Sequence, residues 1–370
     1  MKRRISLLLA LMLTMSLTLS CAGEGLGEPD AVTYVVRVGT LTMLNMSGEE
    51  AAGLFAARRL INGQLAREGL QHTAFDGGDV DRNPILDEKI RIVYETVCYD
   101  SLDAMLMALN AGEIDIMSIY STTAAYLCAN NSQLMCSVVY QDVEETESAF
   151  ARFVLSSALA NDFAFMLMEK NEALRDELNG AISQIRSDGT LDQLVTDHID
   201  AAIAGMDIAP VEMPASGGPD KIRVAVTGSL PPMDYISPDG SPAGFNTALL
   251  SEISRRIGRD IELVQVDSLG RAAALASGTV DAVFWTRTSA LSNQLDAMTQ
   301  EEKDAFISAP RSQFTDEEKE VVDQISRIID FFGYGLKDMP EGTIITDAYF
   351  SDYFAPVVHR DSFAPSVAAP

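Results

Sequence analysis

The chain has 370 residues, 47% of them hydrophobic, enough to build the cores of two ordinary domains. With 27 basic and 54 acidic residues its formal charge is −27, a surface that repels nucleic acid and gains nothing from anionic lipid. Four cysteines and three histidines, without CxxC or Cys/His ligand spacing, argue against a disulfide framework and against a metal site.

At the start of the chain, Lys2, Arg3 and Arg4 precede an uncharged apolar run over residues 5–19. That is the layout of a secretory signal peptide, and a run of about 15 residues is short of the roughly 20 needed to span a bilayer. Leu17-Thr18-Leu19-Ser20-Cys21 is similar to a bacterial lipobox, in which Cys21 is lipidated and becomes the mature amino terminus. Ser20-Cys21-Ala22 also fits an ordinary small-x-small cleavage site. The expectation is a leader over 1–21 and an exported body on the outer face of the cell membrane, held there only by a lipid anchor.

A first module is predicted over 33–206. Residues 33–39 form an apolar, β-branched run that predicts a buried strand, and 49–65 carry apolar residues at helical spacing. A Gly/Asp-rich loop over 71–84 follows, then a strand over 89–94, a helix over 101–110 and a strand over 113–117. Strand and helix alternate as in a parallel sheet covered by helices. The module closes with helices over 171–186 and 191–199. Three prolines and two glycines mark a linker in 207–220.

The second module, 221–363, repeats the order: a strand over 222–226, a helix over 245–257, a strand over 260–266, a helix over 269–276 and a strand over 280–285. Ala108-Leu-Asn-Ala-Gly-Glu-Ile-Asp115 matches Ala274-Leu-Ala-Ser-Gly-Thr-Val-Asp281, a helix that ends on glycine and feeds a strand opening on an acid. Residues 290–336 look helical, with Thr315-Asp-Glu-Glu318 as a capping box. The fold class expected is therefore α/β: two modules with mostly parallel sheets flanked by helices.

Lys221-Ile-Arg-Val-Ala-Val-Thr-Gly, Pro231-Pro-Met-Asp-Tyr, Gly244-Phe-Asn-Thr-Ala-Leu and Gly278-Thr-Val-Asp281 together resemble the amino-terminal lobe of the family 3 bacterial extracellular solute-binding proteins. These are periplasmic-binding-protein-like receptors that feed ABC importers. Asn171-Glu-Ala-Leu174 and Ser187-Asp-Gly-Thr190 resemble that family's terminal helices, and residues 344–361 its hinge strand. The resemblance implies a small polar ligand, most simply an amino acid, an ABC permease as partner, no cofactor and no enzymatic step.

Carried over, the family's ligand loops fall on Asp234 and Tyr235, on Trp285, Thr286 and Arg287, and in the first module on Ser118, Ser121 and Thr122. Tyr235 would stack on the ligand or pack its own turn, and Asp234 would pair with an ammonium or cap that turn. Arg287 follows Thr286 directly, where the family spaces them as Thr-x-x-Arg. A second lobe, which the family inserts after the third strand, finds too little chain in either module. Each module thus looks like one lobe, and the two are expected to face each other across a single cleft. The alternative is a sensory or partner-binding module on the same fold that has lost its ligand.

Overall fold

The computed structural model describes residues 32–42, 72–73, 90–138, 149–150, 161–206, 208, 210–215, 221–237, 240–267, 270–289, 299–302, 305, 311–332 and 340–360. The expected leader over 1–21 with Cys21, the helix over 49–65 and most of the loop over 71–84 lie outside them.

The first sheet is built on β1 (Val32–Leu41), β2 (His72–Thr73), β3 (Ile90–Tyr99), β4 (Ile116–Tyr120) and β5 (Leu134–Val138). Strands β3, β1 and β4 lie side by side and parallel. Helix α1 (Leu102–Asn110) packs on them through Leu102, Met105, Ala108 and Leu109, and the Ser101 hydroxyl caps it by accepting from the Ala104 amide. That spacing is one face of a 3.6-residue helix, and the cap satisfies an amide that has no intrahelical partner. Helix α2 (Ser121–Asn130) follows β4 without a loop.

The middle of the chain supplies β6 (Asn161–Met168), α3 (Glu172–Ser187) and α4 (Thr190–Val195), which continues through a π turn to Ile203. Then come β7 (Ile222–Val226), β8 (Ser229–Leu230), β9 (Asp234–Ile236), β10 (Pro242–Ala243), α5 (Phe245–Ile257), β11 (Ile261–Gln265), α6 (Gly270–Ala276) and β12 (Ala282–Ser289). Helix α7 (Asp316–Phe332) and strands β13 (Thr343–Ile345), β14 (Phe350–Asp352) and β15 (Phe354–His359) complete the described chain. The capping box is present: the Glu318 amide donates to Thr315 Oγ1 and the Glu318 carboxylate accepts from the Thr315 amide.

Neither sheet is confined to one stretch of sequence. The first runs β2-β5-β15-β4-β1-β3 and takes β15 from the far end of the chain; the second runs β11-β7-β12-β6-β13 and takes β6 from the first half. The parallel trio β11-β7-β12 is extended by antiparallel β6, which also pairs with β13 and β14. Helices α3 and α4, although they precede the second sheet in sequence, pack against α5 on it. The lobe that faces the 222–289 trio is thus supplied mainly by residues that come before it. One hydrophobic cluster runs through both sheets, from Met105 and Met117 to Phe245 and Ile253. Sheets with covering helices make the chain mixed α/β.

The two lobes share a local clamp. Asp115 accepts from the Arg37 amide at 2.7 Å and from its guanidinium at 3.1 and 2.8 Å; Asp281 does the same for Arg223 at 2.9, 3.1 and 2.8 Å. Each acid opens the third parallel strand and pins it to the first. The Arg37 hydrogen bonds hold the Asp115 carboxyl below its ordinary range; at Asp281 burial is the largest single influence and acts upward, but the side-chain and backbone bonds from Arg223 and the nearby positive charges together outweigh it and lower the carboxyl. A depressed folded-state pKa stabilises above the unfolded value of about 3.9 and is lost as pH falls through the folded one. Asp115→Asn and Asp281→Asn are expected to lower the melting temperature at pH 7 and to lose less stability than wild type between pH 5 and pH 3. Equal losses in that window would overturn the clamp.

Candidate functional site

A cleft of about 400 Å³, counting its open mouth, lies between the lobes. From the first lobe it is lined by Leu41 and Thr42 at the end of β1, Asp100, Ser101 and Leu102 at the start of α1, and Tyr120 at the end of β4. From the second it is lined by Thr227, Ser229 and Leu230 after β7, Arg271 on α6, and Trp285 in β12. Carboxyl ends of parallel strands from both sheets thus converge on it, the position where open α/β sheets hold ligands.

Its floor is aromatic. Trp285 stacks on Phe163 with centroids 3.7 Å apart and planes 9° apart, and meets Tyr120 edge-on at 5.9 Å. Tyr120 in turn packs on Phe354 at 4.8 Å. Trp285 has φ 60°, the left-handed region that residues other than glycine rarely occupy. The kink falls where the β12–β6 register shifts, between Val283 and Thr286. Tyr349 Oη accepts the Trp285 amide at 3.0 Å, and Arg271 Nη1 donates to the carbonyls of Phe284 at 2.9 Å and Trp285 at 3.3 Å.

Of the residues singled out from sequence, Trp285 lines the cleft; the others have internal roles or lie beside it. Asp234 caps its turn, accepting from the Thr227 amide and hydroxyl at 2.9 and 3.0 Å and from the Gly228 amide at 3.0 Å. It acts on the cleft through Thr227, which it positions. Tyr235 is half-buried in the β8–β9–β10 ribbon. Thr286 is fully buried in β12, and Arg287 donates from Nη1 to Asn161 Oδ1 at 2.8 Å in the adjoining strand. Ser118 is buried in β4, while Ser121 and the Thr122 amide bind the carboxylate of Asp352.

Asp352 ends β14 in the second sheet, and after Tyr353 the chain enters β15 in the first. Its buried carboxylate accepts from Ser121 Oγ at 2.5 Å, the Tyr353 amide at 2.6 Å and the Thr122 amide at 3.3 Å. It therefore caps α2 from the crossover between lobes. Removing the acceptor of three donors at a buried site should cost about 2–3 kcal/mol, so Asp352→Ala is expected to lower the urea midpoint accordingly; an unchanged midpoint would show the cap to be dispensable. Burial raises the Asp352 pKa against the pull of these hydrogen bonds. This group's contribution is therefore present below the unfolded value of about 3.9 and lost as pH rises through the folded one. That is opposite in sign to Asp115 and Asp281.

Sequence reasoning missed Thr42, Asp100, Ser101, Tyr120, Thr227, Ser229 and Arg271. A signal for the last was present: one arginine inside the otherwise apolar stretch Gly270-Arg-Ala-Ala-Ala-Leu-Ala276, where a solvated charge has no reason to sit. Among the described residues no group of three or more His, Cys, Asp or Glu is placed to hold a metal, and no helix is long and apolar enough to cross a membrane.

Residues 222–332 match the bacterial extracellular solute-binding proteins, family 3. No curated protein matches the chain in sequence. Among solved structures, a zinc-bound ligand-binding component of an ABC-type import system from Staphylococcus aureus is 9% identical, with 88% of this chain and 66% of that one covered at TM-score 0.33. The periplasmic aliphatic sulphonate binding protein of Escherichia coli is 13% identical over 86% and 82% of the two chains at TM-score 0.29. A glutamate-bound ligand-binding core from Nostoc punctiforme is 10% identical over 88% and 86% at TM-score 0.30. At these scores the likenesses carry no argument about ligand or mechanism.

Proposed function

We propose, from the match of residues 222–332 to the family 3 bacterial extracellular solute-binding proteins, that the whole chain is an exported solute receptor. It captures a small polar ligand of the amino-acid class between its lobes and presents it to an ABC permease. The observation that carries this reading is a cleft walled by both lobes, with Thr42, Ser101, Thr227 and Ser229 beside the aromatic floor. Such a pocket buries an apolar body and fixes orientation through a few polar groups. Asp100 on one wall and Arg271 on the other match the two charges of a zwitterion. On this reading the protein binds its solute and does not convert it, and a lipid on Cys21 holds it at the outer face of the membrane.

The chain's one tryptophan, Trp285, forms part of the floor and reports occupancy directly. Titration with L-amino acids, short peptides and polyamines should give a saturable fluorescence change for one class. Silence throughout, together with an unshifted melting temperature, would sink the receptor reading and leave a partner-binding module on the same fold.

A further inference from the structure

We propose that Cys128 and Cys136 form a dithiol site that closes, by exchange with a disulfide oxidant, into an intramolecular disulfide stapling α2 to β5. The proposal goes beyond the receptor reading and takes from it only export, which keeps such a bond formed. Cys128 lies in the last turn of α2 and Cys136 in the middle of β5. Helix α2 packs on β5 and β15. The turn that joins it to β5 is fixed by the Leu134 amide on the Asn131 carbonyl and the Gln133 amide on Asn131 Oδ1, both at 3.0 Å. Side chains alternate along a strand, so Leu134 and Cys136 share a face, and they lie in one core cluster with Leu127 and Cys128. Cys136 is 5% exposed and Cys128 is half-buried. Their sulfurs are in hydrogen-bond contact, so bonding asks for side-chain rotation and not for a shift of helix or strand. Cys98, by contrast, is exposed on β3.

The two thiols have different parts in the closure. Cys128, the more exposed, meets the oxidant RSSR: its thiolate attacks one sulfur, a Cys128–SR bond forms as the RS–SR bond breaks, and RS⁻ leaves. The Cys136 thiolate then attacks Cys128 Sγ, forming the Cys128–Cys136 bond and expelling the second RS⁻. The pair has lost two electrons and two protons, and the oxidant departs as two thiols. Contact with Cys128 lowers the Cys136 thiol, which suits it to the second attack. Contact with Cys136 and burial raise Cys128, which makes the first attack the slow one, and the charge of Arg360 works the other way. Arg360 is held at the turn by its Nε on the Ser132 carbonyl at 2.8 Å and its amide on the Gln133 carbonyl at 2.9 Å. Once formed, the bond holds the far end of the helix whose start is capped by Asp352. It also holds β5, which pairs with β15 on the other side of the crossover. A bridge there removes freedom from the unfolded chain and stabilises the first lobe.

The test needs no variant at the pair itself. The full chain is prepared reduced, incubated with glutathione disulfide, blocked with iodoacetamide and mapped by peptide mass spectrometry. The expected product joins Cys128 to Cys136 with a loss of two hydrogens, while Cys98 is recovered alkylated or carrying glutathione. The oxidised protein should melt about 3–8 °C above the reduced one, followed by circular dichroism, and Cys98→Ser should leave that difference unchanged. Recovery of both Cys128 and Cys136 as alkylated thiols, or of a stable glutathione adduct on Cys128, overturns the proposal. An oxidised form that melts at or below the reduced form overturns the staple. Protein taken directly from cells and blocked before lysis separates this proposal from the export on which it draws. A pair that closes with glutathione disulfide but comes from cells reduced supports the dithiol site and ends the exported reading. A pair that stays open in both preparations ends the proposal and leaves the receptor reading to the ligand titration.

Discussion

Gly244→Ala is expected to cost about 3–5 kcal/mol and to disable the cleft even where the chain stays folded. Gly244 sits at φ 99° and ψ 175° immediately before α5, a region of backbone space that is nearly exclusive to glycine and costs other residues about 1–3 kcal/mol. A Cβ there would stand 2.6 Å from the Pro232 carbonyl oxygen and 2.7 Å from that of Met233, both rigid backbone. Those two oxygens accept the Phe245 amide at 3.1 Å and the Asn246 amide at 2.8 Å, so the added methyl pushes away the groups that cap α5. Each lost bond adds about 1 kcal/mol. The displaced loop leads into Asp234, which holds Thr227 at the cleft wall, and so ligand affinity should fall with stability. Gly258→Ala is the control. At φ 68° and with nothing within 4 Å of its would-be Cβ, it pays only the backbone strain of a helix-ending glycine, about 1 kcal/mol. Urea melts that place both variants within 1 kcal/mol of each other would show that the loop yields to the methyl group.

How far the fold could be read from sequence depended on how local its causes are. Strand β7 and helix α5 fall on 222–226 and 245–257 as expected, because β-branched runs and apolar spacing act within a few residues. The matched Gly-x-x-Asp turns also had local content: both acids turn back to an arginine in the first strand of their own lobe. Helix α2 had no such signal. Its start, Ser121-Thr-Thr, is a weak helix former, and its cap comes from Asp352, 231 positions away. The exchange of β6 and β15 between sheets is likewise a property of long-range pairing, which no periodicity records. The family resemblance places ligand groups on the hydroxyls at 118–122, yet a hydroxyl serves a cap as readily as a solute. Asp234 met the same ambiguity and the turn took it. Arg271 was the reverse case, a misplaced charge in plain view whose meaning depended on which wall its helix would line.

Trp285→Ala is expected to cost about 3–5 kcal/mol, the range for deleting a buried large aromatic, and Trp285→Gly to cost about 1 kcal/mol less. The side chain is 6% exposed, lies 3.7 Å from Phe163 in a parallel stack, and touches Tyr120 of the other lobe. Losing it opens a void where the two sheets meet, with a stacking loss of about 0.5–1.5 kcal/mol beyond the lost area. The order of the two variants is the diagnostic. In an ordinary strand glycine is worse than alanine by about 0.5–1 kcal/mol, since it has more backbone freedom to lose. At φ 60° a Cβ is itself the source of strain, about 1–2 kcal/mol in left-handed backbone, and glycine removes it. Circular dichroism during urea unfolding, which needs no tryptophan signal, measures both. Alanine more stable than glycine would mean that the backbone relaxes once the indole is gone, so that the stacked ring imposes the strain. Glycine more stable than alanine would place the strain in the frame itself, where Tyr349 accepts the amide of residue 285 and Arg271 donates to its carbonyl.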